Sequence, residues 1–88
     1  MTSKERARLK GLAAAADTIV QIGKNGITDS VITSVDNALT ARELVKGKVL
    51  ESSMLTAREA VQQLAEALGA EAVQAIGTKF VLYRKKPE

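Results

Sequence analysis

The tetrapeptide Gly23-Lys24-Asn25-Gly26 is the segment of this chain best suited to chemistry. Its two glycines let the backbone turn sharply and expose N–H groups, and a cation lies between them. It follows a short apolar run and precedes an amphipathic stretch, so it is expected to lead into a helix N-terminus, where unpaired N–H groups favour anions. The pattern predicts a phosphate-binding loop with Lys24 at its tip, although many G-x-x-G tetrads are plain turns.

Other kinds of chemistry find little support in the residues. The loop has neither the Gly-x4-Gly-Lys-Ser/Thr order of a P-loop nor the third glycine of a dinucleotide fingerprint. The 88 residues include no histidine and no cysteine, which removes the usual zinc sites and histidine- or cysteine-based catalysis. The carboxylates fall at expected helix starts and loops, where capping and solvation explain them. We therefore predict no catalytic residue, no metal site and no cofactor.

The basic residues are concentrated at the two ends of the chain. The formal net charge is only +3, from 13 basic and 10 acidic side chains. The cations crowd the first and last ten residues: Lys4, Arg6, Arg8, Lys10, Lys79, Arg84, Lys85 and Lys86. If both ends lie on one side of the fold, they form the basic surface of a polyanion binder. The alternative is that charged ends simply keep a small protein in solution.

Three helices are expected to position these residues. The first covers residues 3–15 with Ser3 as its N-cap, and the second covers residues 28–41 with Thr28 as its N-cap. The third opens at Thr56, whose spacing to Glu59 matches a capping box, and ends at Gly69.

Four strands complete the predicted fold, at residues 18–22, 43–50, 72–76 and 79–84. Gly77-Thr78 suits a tight hairpin between the last two. The order is α-β-α-β-α-β-β, which predicts an α/β fold with a mixed four-stranded sheet. Residues 1–88 form one domain in this interpretation, with a basic tail at residues 84–88.

Strand alternation separates candidate binding residues from core residues. Lys46 and Lys48 share one face of the second strand, so that face is open either to solvent alone or to a ligand. Phe80 and Tyr83 fall on opposite faces of the last strand and cannot form a joint stacking platform. Phe80 is assigned to the core, and Tyr83 either stacks a base or packs with its hydroxyl at the edge.

Four segments of the chain resemble the CRM domain, and more narrowly the stand-alone bacterial YhbY-like proteins. They are residues 9–13, 20–28, 43–49 and 73–84, which begin with Leu-Lys-Gly-Leu-Ala and end with Leu82-Tyr83-Arg84. The similarity runs through nearly the whole chain in order. It departs from the family where relatives often carry an Ala-His pair and a proline, since this chain has Ala13-Ala14-Ala15-Ala16-Asp17 there.

The resemblance implies an RNA-binding domain similar in fold to the C-terminal domain of translation initiation factor three. Bacterial members associate with precursors of the large ribosomal subunit, and plant organellar relatives act in group II intron splicing. The family's G-x-x-G loop corresponds to Gly23, Lys24, Asn25 and Gly26. The family's basic first helix and last strand imply further RNA contacts. Lys46 and Lys48 are added to them from the alternation along the second strand, not from the resemblance. The full set of expected RNA contacts is Lys4, Arg6, Lys10, Gly23, Lys24, Asn25, Gly26, Lys46, Lys48 and Arg84.

These features together predict a non-enzymatic protein that binds large-subunit ribosomal RNA or pre-ribosomal particles. No apolar stretch is long enough for a membrane span, and no signal-peptide core follows the N-terminus. We expect a cytoplasmic, monomeric protein that binds no membrane. The alternative is a protein-interaction module whose basic surface docks an acidic partner on those particles.

Overall fold

The predicted order of helices and strands is confirmed in a computed structural model, which describes residues 2–85. The helices are α1 (Ser3–Ala15), α2 (Asp29–Arg42) and α3 (Ala57–Leu68). The strands are β1 (Val20–Ile22), β2 (Leu44–Val49), β3 (Glu71–Ile76) and β4 (Lys79–Tyr83). A 3-10 helix, Glu51–Ser53, precedes α3. Of the predicted basic tail, only Arg84 and Lys85 lie within the described residues.

Local capping sets where the helices begin. Thr28 caps α2 by accepting a hydrogen bond from the Val31 N–H, and Thr56 and Glu59 form the predicted capping box of α3. The expected N-cap of α1 is wrong by one residue, because the Thr2 hydroxyl, not that of Ser3, accepts the Glu5 N–H. Ser and Thr are both good N-caps, so composition alone did not distinguish them.

The sheet is mixed, as predicted, with the strand order β1-β2-β4-β3. β1 pairs with β2 in parallel, and the other two pairings are antiparallel. β1 is shorter than predicted, since only residues 20–22 form the strand. Helices α2 and α3 pack on one face of the sheet and α1 on the other.

The larger core lies between the sheet and the helices α2 and α3. Phe80 is fully buried there, as predicted, and its ring lies directly over Gly47 on the neighbouring strand. A Cβ atom at position 47 would lie 2.7 and 2.8 Å from the Cε2 and Cε1 atoms of Phe80. The ring therefore occupies the space that any other residue at position 47 would need.

The smaller core lies under α1. Leu9 and Ala13 of the helix pack on Val73 and Val81 of the sheet, with Tyr83 beside them. Tyr83 is half-buried in this cluster, which matches the packing alternative for this side chain. A bulge between Ala72 and Gln74 interrupts the pairing of β3 with β4, and Gln74 is the residue paired with Val81. α1 covers only part of its face, so the rest of that face is open.

Arg84 links β4 to both helices of the larger layer. Its guanidinium donates hydrogen bonds to the carbonyl oxygens of Leu68 and Asp36, at 3.0 and 3.1 Å. It also donates to the Thr40 hydroxyl and forms a 2.8 Å ion pair with the Asp36 carboxylate. The side chain is 24% exposed, so the bonds to carbonyl oxygens contribute more than the screened ion pair.

The contact between Gly47 and Phe80 predicts that Gly47→Ala destabilises the protein by about 1–3 kcal/mol, because the new methyl group displaces the ring. Urea unfolding measures this change. Gly11→Ala is the matched control: position 11 has open space in α1, and a gain of about 0.5–1 kcal/mol is expected. Adding Phe80→Leu to Gly47→Ala should recover part of the loss. A Gly47→Ala protein as stable as the wild type would contradict the close contact.

The bonds of Arg84 predict that Arg84→Lys lowers the free energy of unfolding by about 1–2 kcal/mol, since an ammonium group cannot reproduce the planar fork of donors. Arg42→Lys, at the exposed end of α2, is the matched control and should lower the free energy of unfolding by less than about 0.5 kcal/mol. Equal unfolding midpoints for the two variants would show that the Arg84 bonds do not stabilise the fold.

Candidate nucleic-acid interface

The loop from β1 to α2 forms a hydrogen-bonded turn. The Gly26 N–H donates to the Gly23 carbonyl oxygen at 2.9 Å, which leaves Lys24 and Asn25 exposed at the corner. Gly26 has φ +68°, so its backbone conformation favours glycine. The backbone of Gly23 is not in such a conformation, and a Cβ atom at position 23 would make only an ordinary 3.7 Å contact with Leu50. The fold thus accounts for the second glycine and not for the first.

The N-terminus of α2 is less open to anions than the sequence suggests. Thr28 accepts one of its N–H groups, and the carboxylate of Asp29 lies in its first turn. A phosphate at this helix end would meet that negative charge. The favourable charge at the loop is therefore the ammonium group of Lys24.

Strand register sets four side chains in one row across the open part of the α1 face. Gln21 pairs with Lys48, Lys48 with Lys79, and Lys79 with Ile76. Directly paired residues share a face, with Cβ atoms about 4.5–5.5 Å apart. Two lysines thus face each other across β2 and β4. The row lies at the end of the sheet from which the loop of Lys24 emerges, because β1 runs parallel to β2.

Two further lysines lie beside this row, Lys46 on β2 and Lys10 on α1. Lys46 donates a hydrogen bond from its Nζ atom to the carbonyl oxygen of Ala13 at 3.2 Å. α1 has no basic residue in its last turn, so Lys46 supplies a cation at its C-terminal end from the neighbouring strand. Lys10 and Lys46 line one groove with Lys79.

We call these five residues the lysine surface: Lys10, Lys24, Lys46, Lys48 and Lys79. Among residues 2–85, none of them forms a salt bridge. Of the predicted contacts, Lys10 and Lys46 share the groove with Lys79, Lys48 is paired with Lys79, and Lys24 lies in the loop that follows β1. Lys79 was missing from the predicted contacts. Its charge is evident in the sequence, but its position opposite Lys48 follows from the strand pairing.

Two of the predicted contacts, Arg6 and Arg84, also form hydrogen bonds within the fold. Arg6 is exposed on α1, and its Nη1 atom donates to the carbonyl oxygens of Ala72 and Val73, at 3.3 and 3.0 Å. Arg84 bonds to α2 and α3, on the face of the sheet opposite Lys46 and Lys48. A contact of either arginine with RNA stays a prediction. Lys4 is exposed at the start of α1.

Neither a metal site nor a membrane-spanning helix is found within the described residues. Residues 2–85 contain no group of three or more acidic, histidine or cysteine side chains that could hold a metal ion. Over the same residues, no helix is long and apolar enough to cross a membrane.

Comparison with known proteins gives a consistent family assignment. The profile of the CRS1 / YhbY (CRM) domain matches residues 1–84. An RNA-binding protein of Haemophilus influenzae is 35% identical over 88 residues, which cover 100% of this chain and 89% of that protein. YqeI of Bacillus subtilis, named as a probable RNA-binding protein, is 33% identical and is covered to 92% of its length.

A solved structure supports the same assignment at the level of the fold. The solution structure of a hypothetical protein from Staphylococcus aureus superposes with a TM-score of 0.79 at 37% sequence identity. The match covers 100% of this chain and 92% of that one. The resemblance noted in the sequence is thus confirmed, and the chain belongs to the CRS1 / YhbY (CRM) domain family.

Proposed function

We propose that this protein binds RNA through the lysine surface and the loop at residues 23–26, and that its RNA is large-subunit ribosomal RNA or a precursor particle. The observation that carries the proposal is the facing pair Lys48 and Lys79, which have no carboxylate partner within the described residues. Like charges in facing strand positions are unfavourable. An anion bound between them would remove that repulsion.

RNA suits this surface because its charges are regularly spaced along a backbone. Lysines on a strand pair, a helix and a loop can each neutralise a separate phosphate and release its counterions. Such contacts position the RNA without reading its sequence. Gly23 fits this role, since the fold does not require glycine there and a missing side chain lets a phosphate approach the backbone.

The names of the two relatives favour RNA over an acidic protein as the partner. The proposed role in large-subunit assembly comes from the family resemblance, and binding without catalysis agrees with a chain that lacks histidine and cysteine. We further propose that the protein acts as a monomer in the cytoplasm. An acidic protein partner would instead give association with pre-ribosomal particles that survives nuclease treatment.

Neutralising the loop cation tests the proposed interface. Lys24→Gln should weaken binding to large-subunit ribosomal RNA and reduce the slope of log affinity against log salt by about 0.7–0.9, the share of one phosphate contact. Filter binding over a salt series measures the slope. Arg42→Gln removes the same charge at the far end of α2 and should leave the salt slope unchanged. Equal slopes for the two variants would exclude Lys24 from the interface.

Removing one of the facing lysines should change stability and binding in opposite directions. Lys48→Gln is expected to raise the free energy of unfolding by about 0.2–1 kcal/mol at low salt, because it relieves repulsion from Lys79. The gain should shrink as salt screens the pair. The same change should weaken RNA binding.

Urea unfolding at two salt concentrations, together with the filter assay, measures both effects. Lys24→Gln serves as the control that weakens binding without stabilising the free protein. A Lys48→Gln protein with unchanged RNA affinity would place the facing pair outside the interface.

A further inference from the structure

The open face beside α1 contains a groove that phosphate contacts alone do not explain. Its volume is about 210 Å³, and Lys10, Lys46 and Lys79 contribute to its lining. Gln74, Ile76 and Val81 line it as well. Pockets for drug-sized ligands span about 300–1,000 Å³, so this groove suits a group no larger than one ring system.

The groove combines cations with apolar surface. Val81 is 4% exposed, whereas Ile76 is 64% exposed at the end of an edge strand. An inorganic anion would use the lysines and gain nothing from these side chains. A ligand that joins an anionic group to a flat, weakly polar ring would use both.

Gln74 supplies the polar group that could distinguish one ring from another. Gln74 follows the bulge in β3, pairs with Val81 and lines the groove, whereas Val73 is buried under α1. Within residues 2–85, the side-chain amide of Gln74 makes no hydrogen bond. A carboxamide offers a donor and an acceptor together, which matches the edge of a nucleobase.

We propose that the groove holds one unstacked nucleotide of the bound RNA. The base lies against Ile76 and Val81, the Gln74 amide bonds to its edge, and its phosphate lies among the groove lysines. This inference rests on the proposed RNA binding and adds base preference to it. The hydrogen bond from Lys46 to Ala13 holds one wall of the groove in place before the nucleotide binds.

Methyl-detected NMR tests the proposal on the intact protein. Each of the four ribonucleoside 5′-monophosphates is titrated in turn, with inorganic phosphate as the matched anion. Nucleotides should shift the methyl signals of Ile76 and Val81 well beyond the shift caused by phosphate, and their affinities should differ among the four bases. Phosphate shifts equal to the nucleotide shifts would overturn the proposal.

Three variants separate the contributions of the groove. Gln74→Leu should reduce the spread of affinities among the bases by about 3- to 10-fold, the range of one hydrogen bond. Ile76→Ala should weaken nucleotide binding and leave phosphate binding unchanged. Leu12→Ala removes another exposed apolar side chain, outside the groove lining. It should change neither the affinity for nucleotides nor the preference among bases. An unchanged base preference in Gln74→Leu would contradict the assigned role of the amide.

Failure of this proposal differs from failure of the proposed function. In one outcome, the salt slope of RNA binding depends on Lys24, but the methyl groups of the groove respond equally to phosphate and to nucleotides. The protein then binds RNA without a base pocket. A protein that binds no RNA, but whose groove prefers particular nucleotides, has the pocket without the proposed RNA function.

Discussion

The contact of Phe80 with Gly47 couples the two faces of the sheet. Both residues lie in the pairing of β2 with β4, and the ring fits because position 47 has no side chain. A slip of one residue in that pairing would move every side chain of one strand to the opposite face. The contact therefore holds Lys48 opposite Lys79 on the far side of the same two strands. The core on one face and the arrangement of cations on the other depend on one register.

Because α1 covers only part of the sheet face on which it packs, the lysines on the rest of that face are accessible to a ligand. Leu9 and Ala13 hold the helix over Val73 and Val81, and the rest of the face remains open. The lysines there keep their charged groups in water, so their exposure costs little. Lys46 belongs to both regions, because it bonds to the helix end and lines the groove. The same side chain thus stabilises α1 and contributes charge to the proposed interface.

Arginine and lysine have different roles in this molecule. Arg6 and Arg84 each bond to two backbone carbonyl groups and connect separate elements of the fold. A guanidinium group suits this role, since its rigid fork presents several donors at once. The lysine surface consists of flexible point charges, which can adjust to phosphates at varied positions. The two termini look equally basic in the sequence, yet Arg6 and Arg84 bond to the backbone of other elements and are not grouped with the lysines.

Local features of the sequence were enough to predict the element order, the caps of α2 and α3, the turn at residues 23–26 and the burial of Phe80. Each depends on neighbouring residues: a hydroxyl three positions before an acid, two glycines around a turn, or alternation along a strand. The positions of Arg6 and Arg84 and the inclusion of Lys79 required the tertiary structure. Their partners lie 66 and 67 residues away for Arg6, and 16, 44 and 48 residues away for Arg84. The facing of Lys48 and Lys79 depends on strand pairing and register, which hydrophobic patterns within each strand do not specify. The sequence alone determined which residues carry charge, whereas the tertiary structure decided which of these residues lie together on the open face and which bond to the backbone of distant elements.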